Sequence, residues 1–302
     1  MPIYRVKTWL DPYGRNKGNL IKQHIYKFTV MTSPCELHLY CNDEVKSRNV
    51  AKKILAMAKE LEFKYNFYNP NSYLSALNQR KTDVLDVQTK DLLTRVKLFY
   101  SKTNGVFDVT MGTLSQSRKL ETIEKIEEEV SRLTPFLGTE YFKIKKNRLS
   151  FDNPYTLIDL GGFVKEFAVD QAVKILKKEK ISSALVNFGG DIYALGSKPN
   201  GKSFSIGIKN PLNPTEYLTH ATISNQALTT SASYERNRQV EDKNYSHIIS
   251  KNELQHQVLS ATVISSSVVE SGVFSTALMI EPMLQTSLEK ILILDSLEIQ
   301  KS

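Results

Sequence analysis

Only two cysteines occur in the 302 residues, and no stretch approaches the roughly 18 consecutive apolar residues of a membrane span. Cys35 and Cys41 lie six apart in "CELHLYC", which alternates like a strand. The even spacing puts both on one face, and about 20 Å of extended chain keeps them from bonding each other. Two reduced thiols are therefore expected, not a disulfide or a metal pair. The opening residues, "MPIYRVKTWLDPYGRNKGNL", show neither the apolar core of a signal peptide nor a lipid-accepting cysteine, so the expected location is the cytoplasm. GxSxG, HExxH and a P-loop are also missing, which leaves serine-hydrolase, zinc-protease and Walker-type chemistry without support. No low-complexity segment, obvious linker or period of about 20 to 50 residues is present, so solenoid and propeller architectures are excluded.

What is present is an ordinary soluble globular composition, 41% apolar and 24% charged, in a chain long enough for one large domain or two. The net charge of +8 invites a nucleic-acid reading. Its lysines, however, are dispersed through helical stretches such as "KSRNVAKKILAMAKELEFK" and interleaved with acids, with no basic run laced by aromatics. Neither nucleic acid nor membrane is expected as a partner. An anionic small ligand fits the same charge.

Periodicity divides the chain into mixed elements. "IYKFTVM" and "CELHLYC" alternate as strands, and residues 45–66 carry apolar residues at helical spacing. "TKDLLTRVKLFYSKTNG" reads as a helix closed by Asn104-Gly105, and "LETIEKIEEEVSRL" as another. "YFKIKKNRLSF" reads as a hairpin with Lys-Asn at its tip. "TLIDL" (156–160) looks like a buried strand that meets Gly161-Gly162 and continues as a helix. "SALVNFGGDIYALG" is a near-continuous apolar strand interrupted by Gly189-Gly190, and residues 267–281 form a last amphipathic helix. Without strict strand–helix alternation the class is α+β.

Three stretches carry chemistry. At the 156–166 junction, Gly161 and Gly162 permit close backbone approach, Lys165 offers a positive charge and Asp159 an acceptor, a combination suited to a phosphate. "NGVFDVTMGTLSQ" places Asp108 and Thr110 on one side of an expected strand, and Asp191 follows Gly-Gly at a strand end where ligands of open sheets often sit. "TTSASYERNRQVEDKNYSHII" sets His247 beside Tyr245 and Ser246, as a general base would be set.

Taken in order, "MTSPCELHLY", "YNPNSYLSALN", "NGVFDVTMGTL", "LIDLGGFVKEFAVD", "VNFGGDIYALG", "TTSASYER…YSHII" and "VVESGVFSTAL" resemble the ApbE family, the FAD:protein FMN transferases. The resemblance implies an α+β, T-fold-like single large domain of mixed, mainly antiparallel sheets flanked by helices. That domain is expected over 27–285, with an N-terminal extension (1–26) and a C-terminal tail (286–302). It implies FAD as substrate, a divalent metal, usually Mg²⁺, and transfer of FMN to a threonine hydroxyl of an acceptor flavoprotein with release of AMP. By the same resemblance, Met31, Tyr68, Asp108, Val109, Thr110, Asp159 and Lys165 contact FAD. Gly162, through its carbonyl, and Thr276 serve the metal, and His247 is the catalytic base.

The chain departs from the family pattern where the chemistry is. The metal-binding Asp position of the last helix is Gly272, and the usual Lys-Gly pair is Lys165-Glu166. Either Glu166, beside the phosphate lysine, replaces the lost carboxylate, or the chain is a non-catalytic FAD-binding homologue. An FAD pyrophosphatase using water is a third reading. If the metal site is lost, Gly272→Asp is expected to restore metal dependence, one helical turn before Thr276.

Overall fold

The computed structural model describes residues 3–8, 21–115, 117, 120–213, 215–232, 237–240, 243–246 and 258–302. The alternating N-terminal stretches fold as antiparallel neighbours: β1 (Ile3–Thr8) pairs with β2 (Lys22–Val30), which reverses into β3 (Ser33–Tyr40). Helix α1 (Glu44–Tyr65) follows, its first turn closed by Asp43, whose carboxylate accepts from the Lys46 amide. The short α2 (Tyr73–Asn78) is capped by Ser72, and α3 (Val87–Lys102) by Asp86. Asn104 and Gly105, both with positive φ, end α3 as expected. Next come α4 (Ile123–Leu133) and the hairpin of β4 (Phe142–Lys145) and β5 (Arg148–Phe151), with Lys146-Asn147 at its tip.

Helix α5 (Gly161–Lys178) leads into β6 (Ala184–Phe188) and β7 (Asp191–Leu195). A separate hairpin, β8 (Phe204–Lys209) and β9 (Tyr217–Ile223), precedes β10 (Gln226–Ala232). The small pair β11 (Asn237–Val240) and β12 (Lys243–Ser246) is followed by β13 (Val258–Ser265), α6 (Val268–Ile280), β14 (Glu289–Leu294) and β15 (Ile299–Lys301). Among the described residues the main sheet has nine strands in the order β1-β2-β3-β6-β7-β10-β13-β14-β15, each antiparallel to its neighbours.

Helices α1, α5 and α6 pack against this sheet and against one another, and Ile54, Leu61, Phe163, Val169, Val263 and Leu278 are buried between them. Full burial of such a side chain contributes about 1.5–3 kcal/mol. A second core of Ile192, Ile208, Ile223, Ile264 and Ile293 joins the sheet to the β8–β9 hairpin. No helix among the described residues is long and apolar enough to cross a membrane.

Several local expectations are revised. Residues 156–160 belong to no sheet among the described residues: the Ile158 backbone bonds both ways with the Asn78 side chain, at 2.8 and 2.9 Å. The Leu157 amide bonds Thr113 Oγ1 and the Asp159 amide bonds the Val109 carbonyl, so two side chains and one carbonyl do the work of a neighbouring strand. Residues 109–114, expected as a strand, form a 3-10 helix because Asp108 caps it. The interrupted strand at Gly189-Gly190 is a hairpin, both glycines having positive φ, so β6 and β7 run in opposite directions. Helix α6 is buried on nearly every side because sheet and α5 enclose it, so it is not amphipathic. The 286–302 segment, expected as a tail, supplies β14 and β15 to the main sheet, and the 1–26 extension supplies β1 and the start of β2.

Candidate active site

Two tight turns lie side by side at one end of the sheet. The β6–β7 turn uses Gly189 and Gly190, at φ 61° and 96°, which glycine adopts without strain. A Cβ on Gly189 would sit 2.9 Å from Ser33 Cβ, so the glycine also allows the neighbouring turn to approach. That neighbour, between β2 and β3, places Met31 and Thr32 at φ 52° and 58°, where a β-branched residue is rare. The Met31 amide donates to Glu62 Oε1 of α1 at 2.6 Å, and Ser33 Oγ donates to the Met31 carbonyl. Backbone strain held in place by surrounding bonds is typical of ligand-contacting segments. Replacing Thr32 by glycine should stabilise the protein by about 0.5–1 kcal/mol in chemical denaturation.

The Asp108 loop and the glycine junction pack against each other. Asp108 Oδ1 accepts from the Thr110 amide at 2.8 Å and from its hydroxyl at 2.6 Å, and Thr110 Oγ1 in turn accepts from the Gly138 amide. Gly112 is required here, since a Cβ would lie 2.9 Å from both Asp159 Cβ and its amide nitrogen. Asp159 Oδ1 accepts from the Gly161 amide at 2.8 Å. Burial pushes the Asp159 carboxyl above its ordinary value, partly offset by that bond. Its folded value exceeds its unfolded one, so its contribution to stability is present in acid and is lost as pH rises through the folded value. Gly162, at φ −88° and ψ 17°, leaves the regular helical conformation in the first turn of α5, and only the Phe107 ring approaches its vacant Cβ direction.

The third part joins α5, β7 and α6. Lys165 Nζ bonds directly to Asp191 Oδ2, at the first residue of β7, and lies 4.0 Å from Glu166 Oε1. Asp191 and Glu166 are both buried, at 2% and 6% exposure. The Glu166 side chain lies across Gly272: a Cβ there would be 2.5 Å from Glu166 Cγ and 3.3 Å from Oε1. Glu166 Oε2 is buried with no hydrogen-bond donor among the described residues. Four residues along α6, on the same face as Gly272, Thr276 Oγ1 is 3.2 Å from Ser231 Oγ of β10. Ser275 also meets Ser231, and Ser271 meets Thr229, the residue paired with Asp191 across β10 and β7.

Contacts thus run from Met31 through Ser33, Gly189 and Phe188 to Lys165, Glu166 and Gly272, and from Gly162 through Phe107 to the Asp108–Thr110 loop and Asp159. Tyr68 sits on the α1–α2 loop, 66% exposed and edge-on to Phe67. His247 lies outside the described residues. The pairing of Lys165 with Asp191 and the anchoring of Met31 by Glu62 were not foreseen. Gly-Gly-Asp was a local signal for the first, but nothing local marks the second. Burial pushes the Cys35 thiol up to about 11, so it stays protonated at neutral pH, and both cysteines are free.

The ApbE family pattern matches residues 31–290. This chain belongs to the ApbE family. An FAD:protein FMN transferase of Vibrio cholerae is 25% identical over 255 residues, covering 78% of this chain and 74% of the relative. One from Buchnera aphidicola is 29% identical over 254 residues, with 77% and 72% covered. Two ApbE crystal structures share the fold. The Thermotoga maritima protein superposes with a TM-score of 0.81 at 22% identity, over 93% of this chain and 97% of that one. The Pseudomonas stutzeri flavinyl transferase, in its apo form, gives 0.79 at 19% identity, over 93% and 94%.

Proposed function

We propose that this protein is an FAD:protein FMN transferase, which moves FMN from FAD to a threonine hydroxyl of an acceptor flavoprotein and releases AMP. The observation that carries this reading is the meeting of the Asp108–Thr110 loop, Asp159 and Gly162 at the N-terminus of α5, the helix that carries Lys165, in a member of this family. The glycine junction presents the N-terminus of α5 to the pyrophosphate, with Lys165 one turn further along the helix. Exposed Tyr68 provides an aromatic face for a stacked ring.

In the transfer, the threonine oxygen bonds to the phosphorus of the FMN half, the bond from that phosphorus to the AMP oxygen breaks, and the threonine proton passes to His247. Gly162, through its carbonyl, and Thr276 would hold a divalent cation, which when bound neutralises charge on the pyrophosphate. The buried Glu166 oxygen, one turn after Gly162 on α5 and without a donor among the described residues, suits such an ion. A cytoplasmic location belongs to the same reading and is supported by the two free thiols.

The test is mass spectrometry of a threonine-containing acceptor domain incubated with the protein, FAD and Mg²⁺. The acceptor should gain the mass of FMN, and His247→Ala should lower the rate by about 10²–10⁴-fold while FAD binding persists. FAD binding without any transfer would identify a non-catalytic flavin binder, and release of free FMN without acceptor modification a pyrophosphatase.

A further inference from the structure

Helices α5 and α6 meet at one very close point, and a glycine on one faces a carboxylate on the other. Gly272 has no side chain because Glu166 occupies that space: even a β-carbon would lie 2.5 Å from Glu166 Cγ. Glu166 is 94% buried by its 6% exposure, yet its Oε2 meets no hydrogen-bond donor among the described residues. An ionised carboxylate in such a place requires a compensating charge or donor. Lys165 supplies it only at long range, and to Oε1, not Oε2. Its ammonium bonds directly to Asp191 and stands 4.0 Å from the nearer Glu166 oxygen. Among the described residues the cluster holds two carboxylates, Asp191 and Glu166, around the Lys165 ammonium. Of the other carboxylates near this end of α6, Glu270 turns toward Lys102 at 3.9 Å, and Asp170 accepts from the Val268 and Val269 amides. One helical turn beyond Gly272, on the same face of α6, is the Thr276 hydroxyl, and four residues before Glu166 on α5 is the irregular turn at Gly162. Carboxylate, hydroxyl and backbone oxygens are the donors of a hard divalent cation that also takes ligand phosphates.

We propose that Glu166 is the carboxylate ligand of a divalent cation in this protein, delivered from α5 across Gly272, so that glycine and carboxylate occupy these two facing positions as a matched pair. The inference rests on the flavin-binding reading above and adds to it the source of the metal's charge. Gly272 is then the space that the ligand needs, not the scar of a lost site.

The test is binding of Mn²⁺ to the full-length, FAD-loaded protein, followed by the paramagnetic resonance of free Mn²⁺, with FAD affinity in EDTA measured separately by calorimetry. Glu166→Gln keeps the shape over Gly272 and should lower Mn²⁺ affinity at least tenfold, with FAD affinity in EDTA changed less than threefold. The double variant Glu166→Gly/Gly272→Asp should bind Mn²⁺ more tightly than Glu166→Gln. Equal Mn²⁺ affinity in Glu166→Gln and the unmodified protein, or no Mn²⁺ binding by the unmodified FAD-loaded protein, overturns the proposal while leaving flavin binding intact. Failure of the unmodified protein to bind FAD in either condition overturns the functional reading itself.

Discussion

Lys165→Ala should destabilise the protein by about 3–5 kcal/mol in chemical denaturation, because it strands the 2%-exposed Asp191 carboxylate without its cation. A domain has about 5–15 kcal/mol in total, so much of the protein could be unfolded under assay conditions. The residue expected from sequence to serve only a phosphate is also half of a buried ion pair. Adding Asp191→Asn removes the stranded charge, and Lys165→Met/Asp191→Asn should recover at least half of the loss. FAD affinity belongs in that double variant, where folding is not the limiting factor. A further weakening of about 1–3 kcal/mol there would isolate the ammonium's contribution to the phosphates. Equal stability of Lys165→Ala and the unmodified protein would mean that the Asp191 pairing contributes nothing.

The second large effect reverses an expectation. Returning an aspartate to position 272 was expected to restore a metal ligand, but the new β-carbon meets the middle of the Glu166 side chain, not its mobile end. Overpacking of that kind costs about 1–3 kcal/mol, and a second buried carboxylate beside Glu166 adds to it. Gly272→Asp alone should therefore lower the melting temperature by several degrees. Glu166→Gly opens the space again, at about 1 kcal/mol for a glycine inside a helix. The double-mutant cycle should give a favourable coupling of about 2 kcal/mol. Additive effects would show that the two positions do not share the space the structure assigns them.

Much of the framework could be read along the chain. The strands β2 and β3, the β4–β5 hairpin, the run of α1 and the glycine close of α3 follow from alternation, helical spacing and turn residues, which act over a few neighbours. The family resemblance proposes Met31, Asp108, Asp159 and Lys165 as one group. Failures came where a local pattern had more than one structural solution. "TLIDL" has the apolar run of a buried strand, but Asn78 and Thr113 satisfy its backbone in place of a sheet neighbour. "FDVT" alternates like a strand, yet Asp108 turns it into a capped 3-10 helix.

Sequence alone determined which residues could carry the chemistry, because side-chain type and short-range spacing are properties of the chain itself. Only the tertiary structure decided which groups those residues meet. The antiparallel order of β6, β7 and β10 carries Asp191 to Lys165, and the close approach of α5 to α6 lays Glu166 over Gly272. Such meetings depend on how the layers pack over long sequence separations, and local periodicity holds no information about that packing.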